Sequence, residues 1–278
     1  MRGDAWRFTL VAVLSLAGVA RVSADTQRVE VTLTLAARTS DTATVVIATQ
    51  PTSTTTTRID AVWLGVRDVR LRRVGACSRP APRALAEGSF TAELVSARVE
   101  GLPATLAAEA GHYCSLAVGF RRVDDAAAGM PDALRGASIL IEGHRADGVP
   151  FVLRSRRVVA PRLHALDRQG MALSEPQLAL IVAVDLARWF RDVDLSLAEP
   201  GEPGAPIRID ESNNRALLDG FHQNLTPGMA LFVDRDRDGA LDADELRLPI
   251  AAGRNSSFQP PPERARFTLP RIPRVRPP

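Results

Sequence analysis

Residues 28 to 36 alternate without a break: Val29, Val31, Leu33 and Leu35 share one parity, and Arg28, Glu30, Thr32 and Thr34 the other. A period of two puts the apolar set on one side of an extended chain, so this stretch predicts a strand with one buried face. Ala43 to Thr49 predicts a second strand, and Gln50 to Thr57, with Pro51 and four consecutive threonines, a loop. From Arg58 to Val74 the alternation returns, but Val62, Leu64 and Val66 have one parity and Val69 and Leu71 the other. A change of parity at Arg67-Asp68 predicts a bulge, where one extra residue turns the following side chains to the other face.

Further strands are predicted over Phe90 to Val99 and, after a small Ala-rich turn, from Cys114 through Leu116 and Val118 to Phe120. Arg121 to Arg135 is a loop. Ala137 to His144 and Pro150 to Val159 flank Asp147-Gly148, a hairpin signal. Leu178 to Asp185 is nearly continuous apolar sequence, the pattern of a central strand or a short buried helix. A single helical turn is predicted at Ala187 to Phe190, and a helix from about Asn213 to Leu225, capped by Ser212 and ended by Pro227-Gly228. Short strands with few helices predict a mainly β protein, an antiparallel β-sandwich, followed by a short helical segment.

Composition adds limits. The chain has 278 residues, 45% hydrophobic and 24% charged, enough for a sizeable core. Every basic residue other than histidine is arginine. That points to coding bias, so arginine counts alone carry no nucleic-acid reading. Residues 1–24 read as a secretory signal: Arg2 and Arg7 precede the apolar run Phe8 to Ala20, and Val22-Ser-Ala24 fits a cleavage site. No later run is long enough to span a bilayer. Residues 25–252 carry 26 basic and 30 acidic side chains, whereas 253–278 hold six arginines, seven prolines and one glutamate. The basicity is thus concentrated in a tail expected to be extended and disordered. The expected organisation is a signal (1–24), a β-sandwich domain (25–210), a helix-plus-loop segment (211–252) and the tail (253–278). Cys77 and Cys114 are the two cysteines, and in an exported chain they predict a disulfide.

One stretch specifies chemistry. Asp234, Asp236 and Asp238 alternate, Gly239 stands where a sharp turn is needed, and Glu245 occupies the twelfth position. Calcium takes six to eight oxygens, and this spacing offers the Asp234, Asp236 and Asp238 carboxylates, the Ala240 carbonyl, Asp242 directly or through water, and bidentate Glu245. The stretch resembles an EF-hand loop. Met229 to Val233 is too short and β-branched for an entering helix, while Asp242 to Leu248 has room for about two turns before Pro249. The resemblance is therefore to the lone calcium loops of secreted proteins, such as dockerins and thrombospondin type 3 repeats. Arg235 and Arg237, between the ligands, are expected to lower affinity by repulsion.

Other chemistry is weaker. His112, His144, His164 and His222, with Glu142, are the material for a copper or zinc site in a metal-handling or hydrolytic protein. No G-x-S-x-G, H-E-x-x-H or phosphate-cradling loop occurs. Trp63, Tyr113 and Trp189 read as core. The stretch Ile59 to Leu71, the region Leu106 to Phe120 around Gly111-His-Tyr113, and Gly148-Val-Pro-Phe-Val-Leu153 resemble a family of exported bacterial β-sandwich domains of unknown function. The resemblance implies a transthyretin-like or immunoglobulin-like sandwich at the cell surface or in the periplasm, without a known catalytic centre. The reading that follows is a non-enzymatic calcium-binding module whose partner is a protein or a surface glycan, not nucleic acid.

Overall fold

The computed structural model describes residues 27–38, 44–50, 53–75, 77, 86–95, 98–101, 105–124 and 129–256. The signal segment (1–24) and most of the basic tail lie outside them. The fold is mainly β, and among the described residues fifteen strands form one hydrogen-bonded sheet.

β1 (Arg28–Arg38) and β2 (Thr44–Gln50) stand where the alternation predicts them. β3 (Ser53–Arg73) is longer than expected. Ser53 to Thr57 is not a loop: these residues pair with β2, Thr54 opposite Ala48 through Thr57 opposite Val45. Threonine is β-branched and suits a pleated strand, so a polar run reads as loop only when no partner strand is known. The bulge forms at its predicted place, with a register shift between Arg67 and Val69 and Asp68 at φ 66°.

The single strand expected over 90–99 is instead a hairpin of β4 (Ala86–Glu93) and β5 (Arg98–Gly101). The expected Ala-rich turn is β6 (Thr105–Glu109), which pairs antiparallel with β1 at the sheet edge. β7 (Gly111–Phe120), β8 (Ile139–His144) and β9 (Pro150–Ser155) follow, with Gly148 at φ 83° in the β8–β9 turn. β10 (Arg162–Ala165) and β11 (Met171–Leu173) both pair with β7.

β12 (Gln177–Asp185) is a central strand. It leads through α1 (Leu186–Trp189) to β13 (Ile207–Ile209), α2 (Arg215–Asn224), β14 (Met229–Val233) and β15 (Ala251–Ala252). Ser212 is not the cap of α2. Asn214 occupies that position at φ 53°, and the Ser212 and Asn213 N–H groups donate instead to Asp210 Oδ1.

The strand order is β13-β9-β8-β3-β7-β10-β15-β14-β12-β1-β6. Two pairings are parallel, β1 with β12 and β9 with β13, where antiparallel neighbours were expected. One apolar cluster gathers side chains from strands far apart in that order, including Leu33, Leu116, Phe151 and Leu180. The sheet must therefore curl around a shared interior. α1 and α2 close it: Trp189 and Phe221 meet edge to face at 5.6 Å, and the Trp189 indole N–H donates to Leu225 O. Trp63, Tyr113 and Trp189 are all buried.

β12 is buried on both faces. Leu180, Val182 and Val184 point into the interior. On the other side Ala183 joins Ala230, Phe232 and Ala252 in a second cluster, over which Leu241 and Leu246 pack. These last two belong to the stretch after β14, so the covering of the outer face leads directly to the 234–245 loop. Cys77 and Cys114 form a disulfide, their Cα atoms 6.1 Å apart.

Candidate metal centre

The loop begins where β14 ends. The Asp234 N–H donates to Ala179 O, which carries the pairing with β12 one residue further and fixes the first carboxylate to the sheet. The chain then folds back through two left-handed residues, Arg237 at φ 63° and Gly239 at φ 80°. Gly239 adopts this conformation without a Cβ penalty, the role expected of it. Asp234 Oδ1 and Oδ2 accept from the Arg237 and Gly239 N–H groups at 2.6 and 3.0 Å. Glu245 reaches back across the loop, Oε1 accepting from Arg235 N–H at 2.6 Å.

Carboxylate oxygens of Asp234, Asp236 and Glu245 thereby lie within 4.8 Å of one another. Asp234 and Glu245 are each only 5% exposed, and Asp236 is exposed. Burial pushes the Asp234 carboxyl up, and the neighbouring Asp236 and Glu245 push it further, against two backbone hydrogen bonds that stabilise the anion. Such a set is costly as three bare anions and suited to a hard cation, since all the donors are oxygens.

The other sequence candidates ring this group without joining it. Asp238 Oδ1 accepts from Ala240 N–H at 2.7 Å. Asp242 Oδ1 accepts from the N–H groups of Asp244 and Glu245, and so starts the exit turn and aims Glu245. That exit is one 3-10 turn, Glu245–Arg247, not two helical turns. Pro249 has no N–H to continue the helix and drives Leu248 into a non-helical conformation.

The arginines behave differently from their formal charge. Arg237 does not point its guanidinium among the carboxylates but donates to Gln177 O at 3.0 Å and to Gln177 Oε1 at 3.3 Å on β12. It is a strut between loop and sheet, and Gln177 is a residue that the sequence pattern did not single out. Beside the loop lies a cleft of about 820 Å³ lined by Glu175, Gln177, Arg235, Leu166 and Leu248 among others.

The histidines are dispersed. His112 lies on β7 opposite Ala172, His144 bonds Asp60, His164 lies on β10 and His222 on α2. Among the described residues the acidic trio is the one metal-type cluster of three, and it contains no histidine. Ser155 Oγ and His222 Nε2 are 2.8 Å apart. This is not a working nucleophile–base pair, because Ser155 is fully buried and His222 Nδ1 has no hydrogen-bond partner among the described residues.

His222 does set a pH response. Burial, with Arg157 adding to it, lowers the ring from 6.5 to about 4. On acidification the unfolded chain takes the proton first, so stability is unaffected above about pH 7 and falls between about 6.5 and 4. Such a shift carries about 3 kcal/mol, which partial solvent access reduces to about 1–2 kcal/mol. Urea midpoints at pH 7 and 4.5 are expected to differ more for wild type than for His222→Gln by that amount, and parallel losses would refute it.

No helix among the described residues is long and apolar enough to cross a membrane. The sequence matches no family model, and no curated protein matches it. Among solved structures it is similar to MbnP from Methylosinus trichosporium, at 15% identity over 64% of this chain and 82% of that one, with a TM-score of 0.34.

Proposed function

We propose that the chain is an exported, non-enzymatic binding module of β-sandwich type, stapled by one calcium ion in the 234–245 loop and by the Cys77–Cys114 disulfide. The observation that carries this is the convergence of the Asp234, Asp236 and Glu245 carboxylates, two of them buried, on a loop anchored to the sheet at both ends. Asp238, the Ala240 carbonyl and Asp242 complete the oxygen set, and Glu245 supplies two oxygens. Calcium supplies charge neutralisation there.

The role is structural. The loop covers β12, β14 and β15 through Leu241 and Leu246. It follows a strand rather than an entering helix, so it has no helix pair to open as a sensor does. The signal-like residues 1–24 and the disulfide support export, to the periplasm or the cell surface, where the partner is a protein or a glycan.

Calorimetric titration is expected to give one site with a dissociation constant of about 10⁻⁴–10⁻³ M, lost in Glu245→Gln. At a few millimolar calcium the gain is about 1 kcal/mol, or about 2–4 °C in Tm against a chelator. A submicromolar constant with a large conformational change would overturn the structural role. Stoichiometric copper or zinc in protein purified without added metal would overturn the calcium reading.

A further inference from the structure

The covered outer face of the sheet has an uncovered continuation. Cross-strand pairing puts Ala183, Ala230, Ala252, His164, Ser115 and Arg72 in one row over six strands. The loop leucines cover the alanine half. Beyond it the same face carries Arg72 and His164 flanking Ser115, and in the next row Arg70 and Arg162 flanking Ala117. Arg254, just past β15, is close enough to His164 to act on it. Burial and then Arg254, Arg162 and Arg72 depress the ring's proton affinity.

Coding bias accounts for arginine frequency but not for this placement. Elsewhere some arginines, such as Arg122 and Arg154, donate to backbone carbonyls, and others meet carboxylates, as in Arg58–Asp60, Arg145–Asp147 and Arg157–Asp219. On this face only Arg70 does so, with Asp68 at the rim. Arg72 donates to the Cys77 carbonyl, and neither Arg162 nor Arg254 has an ion-pair partner among the described residues. The cations spread over four strands, about 14 Å at sheet spacing, and do not converge on a point. Between them Ala117 is half-buried and Ser115 and Ala252 are buried, so the arginine side chains form the surface that a ligand meets.

We propose that this face binds an anionic polysaccharide, its carboxylates or sulfates taken in series by Arg70, Arg72, Arg162 and Arg254. The assignment rests on the reading of the chain as an exported binding module and names its partner. A charged line suits a polymer with repeated anions better than one small anion. Among the described residues the His164 imidazole is the one ring in these rows, too few for a series of stacked bases, and no helix or ribbon projects from the face into a duplex groove. No large apolar side chain stands between the arginines to enter a bilayer.

The test uses the full chain with hyaluronan and dextran sulfate as probes and neutral dextran as control. Wild type is expected to bind at least one anionic polymer and not dextran, more weakly as salt rises. Arg162→Gln/Arg254→Gln is expected to weaken binding about tenfold or more, with calcium affinity and Tm unchanged. Glu245→Gln, which abolishes calcium binding, is expected to retain the glycan, so the two readings fail separately. The proposal is overturned if Arg191→Gln/Arg215→Gln, elsewhere on the surface, causes an equal loss, if neither polymer binds, or if binding is confined to duplex DNA or phosphatidylglycerol vesicles.

Discussion

Phe232→Ala is expected to remove about 3–5 kcal/mol of stability and to weaken calcium binding several-fold. Phe232 is fully buried, but on the outer face of β14, beneath Leu241 and Leu246 of the loop. Its neighbours in that cluster are alanines, which are too small to fill the space left by a phenyl ring. The loss is a large share of the roughly 5–15 kcal/mol that holds a domain folded. It also differs in kind from the loss expected at an interior residue such as Phe151, whose removal leaves the loop's platform intact. Without the ring the loop leucines lose their support, and Glu245, which hangs on the following turn, loses its aim at Asp234. Phe232→Leu keeps most of the volume and is expected to cost less than about 1.5 kcal/mol with near-normal calcium affinity. Urea unfolding paired with calcium calorimetry decides it: full calcium affinity in a destabilised Phe232→Ala protein would show that the platform does not hold the site.

The same residues explain what the sequence made legible. Near-continuous apolar sequence in β12 signalled a central strand or a short buried helix, and the strand is apolar on both faces because the helices close one side and the loop covers the other. The change of parity at Arg67-Asp68 announced the bulge, since one extra residue must invert every later side chain. The loop's carboxylates were legible because their spacing is local. Ser53–Thr57 and β6 were misread because their strand character comes from partners distant in sequence. The Ser212 cap failed for a related reason: the buried Asp210 carboxylate accepts from the Ser212 and Asn213 N–H groups and holds both in a turn ahead of the helix, which starts at Arg215. The basic face was invisible for the strongest version of this reason. Arg72, Arg162 and Arg254 become neighbours only through the register of β3, β7, β10 and β15, and in a chain without lysine their number alone says nothing.

Cys77→Ala/Cys114→Ala is expected to cost about 2–4 kcal/mol and to raise the urea m-value. The bridge joins residues 37 apart in sequence, and closing a loop of that length removes conformations from the unfolded chain worth up to about 4 kcal/mol. The folded state already pairs these segments, Arg72 opposite Ser115 and Arg73 opposite Tyr113, so little native structure depends on the bond itself. Freed of the cross-link, the unfolded chain expands and exposes more surface, which is why the m-value rises as the midpoint falls. Unchanged m with a loss under about 1 kcal/mol would show that the unfolded ensemble keeps β3 and β7 together without the bridge. Calcium affinity is expected to stay at its wild-type value, because the loop is anchored to β12 and β14. The cation row is expected to respond, since Arg72 donates to the carbonyl of Cys77 itself and loses that tether when the turn after β3 is released. Reduction should therefore weaken polyanion binding before it affects the metal, an order that separates the two halves of one sheet face.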